Sequence, residues 1–412
     1  LFIYSFAIQQ NKNFIYLYPF MVYPFMFLIR APNVENIFFS ILPDILVVIS
    51  IIYHCLFFQF KKRLWFFYSF LLIYACLVFI FLMLSLDNLN YIFIVTRQFI
   101  LPLAFLIVFI DISQRKFDIP LQALTISILF FSVVCFFSIL NIFGILPIRP
   151  DIPELSPFLN FTSSEADALK FSGREIFGLN LPRLNTFTGG AVGSASAILF
   201  YLGLLSVFSL NKQMYIFKIC GFFLLLASAM TVSNSILFLI IIFVSINYLI
   251  YKKYLLVLLA FPLAILFMFS ATSSVGSPIE YFKETSLSGF IIYLQNADPI
   301  DYLIGIGPRL VSQGFEFVPE GFIIDAGILR VFIETGIITF MLFLYFNYMV
   351  LRLAIKNLSS SRSEIKIYLS ILILFLVLVH GNITILPPFY PIYCLAVAGI
   401  ISISTNNKKS LD

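Results

Sequence analysis

Long apolar runs, returning at short intervals along the whole chain, constrain this sequence more than any motif in it. They lie near 14–29, 37–60, 64–86, 91–111, 120–143, 187–210, 214–231, 234–251, 254–270, 321–351, 367–386 and 389–405. A helix rises about 1.5 Å per residue, so about 20 apolar residues cover the hydrocarbon core of a bilayer. Each run is therefore predicted as a transmembrane helix. The pair at 214–251 is divided only by Thr231–Val232–Ser233–Asn234, and the first run is short. Composition agrees: 61% of residues are hydrophobic and 11% charged, where soluble domains carry about 45–50% and about 25%. The expectation is an all-α polytopic membrane protein of about twelve spans, forming a single integral membrane domain over 1–412. The opening LFIYSFAI at 1–8, without an initiating methionine, is too short to span and reads as the remainder of a longer segment.

Lysine and arginine set the orientation. Lys61–Lys62–Arg63, Arg115–Lys116, Lys212, Lys252–Lys253, Arg352 to Lys366 and Lys408–Lys409 alternate with connections that are nearly uncharged. Counting spans puts all these clusters on one side, which the positive-inside rule makes cytoplasmic, with both termini. Heavy use of Phe, Ile, Asn and Lys is associated with AT-rich bacterial genomes; the expected location is a bacterial inner (cytoplasmic) membrane. The net charge of +5 is spread over short inter-helical clusters and does not point to nucleic acid. Cys55, Cys76, Cys135, Cys220 and Cys394 fall inside apolar runs with no CxxC spacing, which suggests neither a disulfide framework nor a zinc site.

Two connections on the opposite, outer side are long: 144–186 and 271–320. Loops of that length are commonly functional, and apolar patches such as GFIIYL at 289–294 argue that they are partly folded. The second loop runs through GIGPRL into a helix headed by Asp325, Arg330 and Glu334. Ionisable groups at the membrane boundary are costly and mark a site by default. Arg330 and Glu334, spaced i,i+4, also suit a pair that neutralises itself. Glu320, after Pro319, suits the first turn of that helix or a catalytic base. Arg183, which closes the first outer loop before Thr186–Phe187–Thr188–Gly189–Gly190, reads either as a diphosphate clamp or as a snorkelling anchor. Gly189, Gly193 and Ala197 have the spacing of close helix packing.

Other polar positions have two readings each. Arg97, near the outer end of run 91–111, reaches either a lipid phosphate or Asp44. His380 reads as a base or as an interfacial polar residue, and His54 as unremarkable. Asp298–Pro299–Ile300–Asp301 lacks the DxD spacing of metal–nucleotide-sugar sites, and Asp-Pro commonly opens a turn. GIGPR at 305–309 lacks the third glycine of a dinucleotide fingerprint.

Taken together, RLNTFTGGAVGSASA, SNSILFLIIIF, LIGIGPRL and DAGILRVFIETGIITFMLFL resemble the Wzy-type O-antigen and capsular polysaccharide polymerases of the O-antigen polymerase/ligase superfamily. The resemblance covers roughly residues 180–350. Many relatives carry Ser-Arg where this chain has Ser233–Asn234. The resemblance implies a GT-C-like membrane glycosyltransferase without metal or nucleotide cofactor. Its substrates would be oligosaccharide repeat units on undecaprenyl diphosphate, joined at the outer face, with a chain-length regulator as a further partner. The family's outer-loop arginines map to Arg183 and Arg309. Positive charge must meet the departing diphosphate, for which Arg183, Arg309 and Arg174 are candidates. The attacking hydroxyl needs a base, for which Asp325, Glu320 and His380 are candidates. An O-antigen ligase differs in its acceptor and would be favoured by a histidine within 271–320, which contains none. A flippase or other transporter would show internal repeats and mid-membrane charge; no repeat is evident.

Overall fold

The computed structural model describes residues 14–22, 37–60, 65–84, 100–116, 118–142, 173–176, 179–182, 287–307, 327–358, 364–378 and 390–409, with scattered positions at 96 and within 219–227. The described chain is helical apart from one short β-hairpin. In order, the helices are α1 (Phe14–Val22), α2 (Ile37–Phe57), α3 (Trp65–Leu84), α4 (Leu101–Arg115) and α5 (Ile119–Ile142). After the hairpin come α6 (Ser288–Asn296), α7 (Pro299–Ile304), α8 (Gly327–Lys356), α9 (Glu364–Leu378) and α10 (Tyr390–Lys409).

Apart from α6 and α7, which lie in the second long connection, the helices fall on the apolar runs, with ends set by local chemistry. Pro102 sits in the first turn of α4, where a missing N–H costs nothing, and Arg115 lies in its last turn, where a cation meets the helix dipole. α5 and α8 contain stretches long and apolar enough to cross a membrane, Ile119–Phe137 and Val331–Lys356. Shorter apolar stretches lie in α2, α3 and α10. Only 28% of the α8 stretch is buried against protein, and Ile338, Met341, Tyr345 and Tyr348 stand exposed along it. That much apolar surface on one long helix is what lipid would cover. The predicted runs at 187–210, 234–251 and 254–270 lie outside the described residues.

The chain divides into two compact units: residues 1–19, 44–123 and 279–412 in the first, 20–43 and 124–278 in the second. In the first, α10 packs on α4 and α9, and α8 packs on α3, α9 and α10. Its core mixes aliphatic and aromatic side chains, with Leu395, Val397, Ile400, Ile401 and Ile403 of α10 and Phe105 and Phe109 of α4 fully buried. Polar side chains tie the layers: Ser402 donates to the Ser113 carbonyl at 2.9 Å, and Gln114 to the Ile401 carbonyl at 3.0 Å. Gly399 lets the α9 ring of Tyr368 close on α10, since a Cβ there would lie 2.6 Å from that ring. In the second unit, β1 (Gly173–Ile176) and β2 (Leu179–Pro182) pair antiparallel, with Arg174 opposite Leu181. The first long connection, 144–186, thus contains a hairpin, which its sequence did not announce. Phe136 of α5 meets Phe223 edge-on at 5.1 Å.

Candidate functional site

Residues 287–307, in the second long connection, are built onto the first segment of α8. GFIIYL at 289–294, expected to fold, lies within α6. Asp298 and Asp301 cap the next helix: the Asp298 N–H donates to Asp301 Oδ2 at 3.2 Å, and Pro299 opens α7. Tyr293 and Ile333 form a small core with Phe290, Ala297, Tyr302, Ile306, Leu329 and Phe332 around them. The Tyr293 ring stands perpendicular to Phe332 at 6.3 Å, and its hydroxyl donates to the Asp301 carbonyl at 2.9 Å. Desolvation, and then the charge of Asp301, push the Tyr293 phenol up to about 12. Tyr302 likewise donates to the Leu294 carbonyl. The two short helices are therefore fixed to each other and to α8.

The joint itself is made of backbone. α8 breaks at Gly336, whose φ of 71° and ψ of 172° interrupt the helical path. A break leaves the last carbonyls of the first segment without helical partners. The loop supplies them: the Ile306 N–H donates to the Ile333 carbonyl at 3.0 Å and the Gly307 N–H to the Glu334 carbonyl at 3.1 Å. Gly305, at φ 85° and ψ 168°, packs against the same break. A Cβ on Gly305 would lie 2.5 Å from the Glu334 carbonyl, and one on Gly336 would lie 2.4 Å from the Leu303 carbonyl. Both glycines occupy a backbone region that side chains exclude. GIG and ETG, separate in sequence, form one interlocked contact.

The joint places two of the predicted site segments together. Glu334 is 1% exposed, one residue from Thr335, whose hydroxyl donates to the Val331 carbonyl at 2.6 Å. Gly307, bonded to Glu334, stands two positions before Arg309. Arg330 lies in the first turn of α8, and Arg174 lies in β1. Arg97, Arg183, Arg309, Glu320, Asp325 and His380 lie outside the described residues. Asp44 is buried in α2.

Sequence reasoning missed one polar cluster, in the first unit. His54 of α2 is fully buried with Nε2 3.2 Å from Asp111 Oδ2 of α4. Tyr16 of α1 places its hydroxyl 3.1 Å from His54 Nδ1. Arg115 Nε donates to Asp111 Oδ2 at 2.6 Å, and Tyr68 of α3 donates to Oδ1 at 3.2 Å. The signal was present as two ionisable residues, His54 and Asp111, inside otherwise apolar runs. No family model, curated protein or solved structure matches this chain.

Proposed function

We propose that this protein is a membrane glycosyltransferase that polymerises undecaprenyl-diphosphate-linked oligosaccharides at the outer face of the cytoplasmic membrane. In this reading about twelve helices cross the bilayer and both termini are cytoplasmic. The lipid's diphosphate is held by Arg183 and Arg309, with Arg174, Arg97 and Arg330 as further cations. Asp325, Glu320 or His380 takes the proton of the attacking hydroxyl, and the negative charge of the leaving diphosphate is met by guanidinium rather than by metal.

The observation that carries this reading is the backbone joint between Gly305–Gly307 and the α8 break. An irregular segment held against a broken, largely apolar helix is how membrane proteins build sites at lipid level. The joint fixes the point from which the chain departs toward Arg309, beside the buried Glu334. A guanidinium can then be presented to a diphosphate from a rigid base rather than from a loose loop.

Arg183→Ala and Arg309→Ala, each made in the native strain, should abolish the polymer ladder. Protein level and single-unit glycans should stay intact. Normal ladders from both variants would sink the proposal. A deletion strain separates the rivals. Loss of a polymerase leaves single units on the surface, loss of a ligase leaves polymer on its lipid carrier, and loss of a flippase leaves no surface glycan.

A further inference from the structure

Residues 287–307 leave an apolar surface uncovered. α6 turns Gly289 and Tyr293 inward, and Tyr293 packs on Ile333 of α8. Leu287, Ile291 and Leu294 have the i, i+4, i+7 spacing of one helix face, turned away from that inner side, and α7 adds Ile300 and Leu303 at i, i+3. All five are 36–65% exposed. A short helix that is apolar on two sides needs a cover for the second. We propose that the cover is lipid: α6 and α7 form an interfacial anchor that rests these side chains in one leaflet, at the boundary of the bilayer that α8 crosses. Such an anchor requires α8 to cross a bilayer; it does not require glycosyl transfer.

Height along α8 puts the pair at that boundary. From the break at Gly336 to Lys356 the helix rises about 30 Å, the thickness of a hydrocarbon core. The far end is basic. Asn357 donates to Ser404 Oγ at 3.0 Å and Gln114 to Thr405 Oγ1, which brings the ends of α8, α4 and α10 together. Lys356, Arg115 and Lys116 therefore gather at one pole, as cations do at a cytoplasmic boundary. α6 and α7 belong to the opposite pole, because Ile306 and Gly307 bond to Ile333 and Glu334, just ahead of the break.

What lies beside the pair favours lipid over a soluble partner. The exposed apolar stripe of α8 starts at Ile338, shortly past the break, and continues through Met341, Tyr345 and Tyr348. α6 and α7 are thus pinned where the surface that lipid would cover begins, and one solvent serves both. Residues 287–307 contain no lysine or arginine, only Asp298 and Asp301 as charges. The contact therefore draws on apolar burial and needs no anionic headgroup.

The test uses the full chain in nanodiscs of phosphatidylcholine. Trp65 is the sole tryptophan, so Trp65→Phe gives a dark background into which one tryptophan at a time is placed. Ile291→Trp and Ile300→Trp should lose emission to phosphatidylcholine brominated high on its acyl chains, more than to lipid brominated near the chain ends. Both should resist iodide in the water. That pattern is the depth of an interfacial helix, about 5–10 Å into the headgroup–acyl boundary. Met341→Trp, on the α8 stripe, should be quenched more by the deeper bromines, and Asn296→Trp, exposed on another side of α6, by iodide. If Ile291→Trp does not accumulate, Ile300→Trp decides alone. Strong iodide quenching at these positions means that the faces meet water, and quenching by neither agent means that protein covers them; either result overturns the proposal. So does a Met341→Trp that brominated lipid leaves bright, since α8 would then face no lipid. None of these outcomes bears on the arginine tests of polymerisation.

Discussion

Replacing Gly336 by alanine probes the joint at its tightest point. The added Cβ would lie 2.4 Å from the Leu303 carbonyl oxygen and 2.5 Å from both Gly305 N and Ile304 C. All three are backbone atoms, so no side chain can swing aside. The backbone at φ 71° and ψ 172° is a further penalty of about 1–3 kcal/mol for a residue with a Cβ. The chain can escape only by separating loop from helix, which gives up the hydrogen bonds from Ile306 and Gly307. Each is worth about 0.5–1.5 kcal/mol net. Strain that exceeds those bonds opens the joint, so a contact closed in the wild type should become largely open. Amide hydrogen exchange on the peptide around Ile306 and Gly307 reads this directly. With an opening penalty of about 3 kcal/mol, exchange should accelerate by about two orders of magnitude, while peptides from α9 and α10 keep their protection. Gly305→Ala should do the same, and the double variant should be little worse than either single one, because both glycines close one contact. Unchanged protection of Ile306 and Gly307 in Gly336→Ala would refute the joint.

Other expectations follow from separate parts of the molecule. Gly399→Ala should lower the melting temperature, since its Cβ would meet the Tyr368 ring at 2.6 Å and overpacking a full core costs about 1–3 kcal/mol; an unchanged melting curve would contradict the α9–α10 packing. Tyr293→Phe removes the donor to the Asp301 carbonyl and should cost about 1 kcal/mol, seen as faster exchange across α6 and α7. The Tyr293 phenol is raised from 10.0 to about 12, so the folded state holds its proton longer than the unfolded chain does. That contribution to stability is complete below pH 10 and should be lost as pH rises through about 12, and the loss should be smaller in Tyr293→Phe.

The helices of the described chain were legible because apolar length is a strong, local signal. α3 and α5 begin and end within two residues of the runs at 64–86 and 120–143. Two features escaped for a shared physical reason. The β-hairpin over Gly173–Pro182 depends on cross-strand pairing, and the α8 break depends on the loop that caps it. A glycine within an apolar helical run is ordinarily tolerated, so Gly336 gave no warning by itself. The signal that could have found it was paired: a Gly-x-Gly ending one loop and a Glu-x-Gly within the next helix. Either alone is ambiguous, whereas together they are complementary surfaces without side chains.

Charge was the less reliable guide. The cost of a buried ion singles out Asp111 and His54 as strongly as Glu334, yet the Asp111 carboxylate accepts from Arg115 and Tyr68 and faces His54. Such a group offsets its desolvation within its own cluster. Buried charge therefore marks either a satisfied cluster or a site, and the two differ in what completes them. Asp111 lies four residues before Arg115, one helical turn away, so the pair was readable as self-neutralising once α4 was recognised. Arg330 and Glu334 have the same spacing in reversed order, on a helix that breaks two residues later at Gly336. There the amides of Ile306 and Gly307 close on the main chain at Ile333 and Glu334. If that difference matters, Glu334→Gln should impair polymer formation while leaving exchange at Ile306 and Gly307 unchanged, since their acceptors are main-chain carbonyls. Loss of polymer accompanied by loss of that protection would make Glu334 a structural residue of the joint, and an unchanged ladder would remove it from the site.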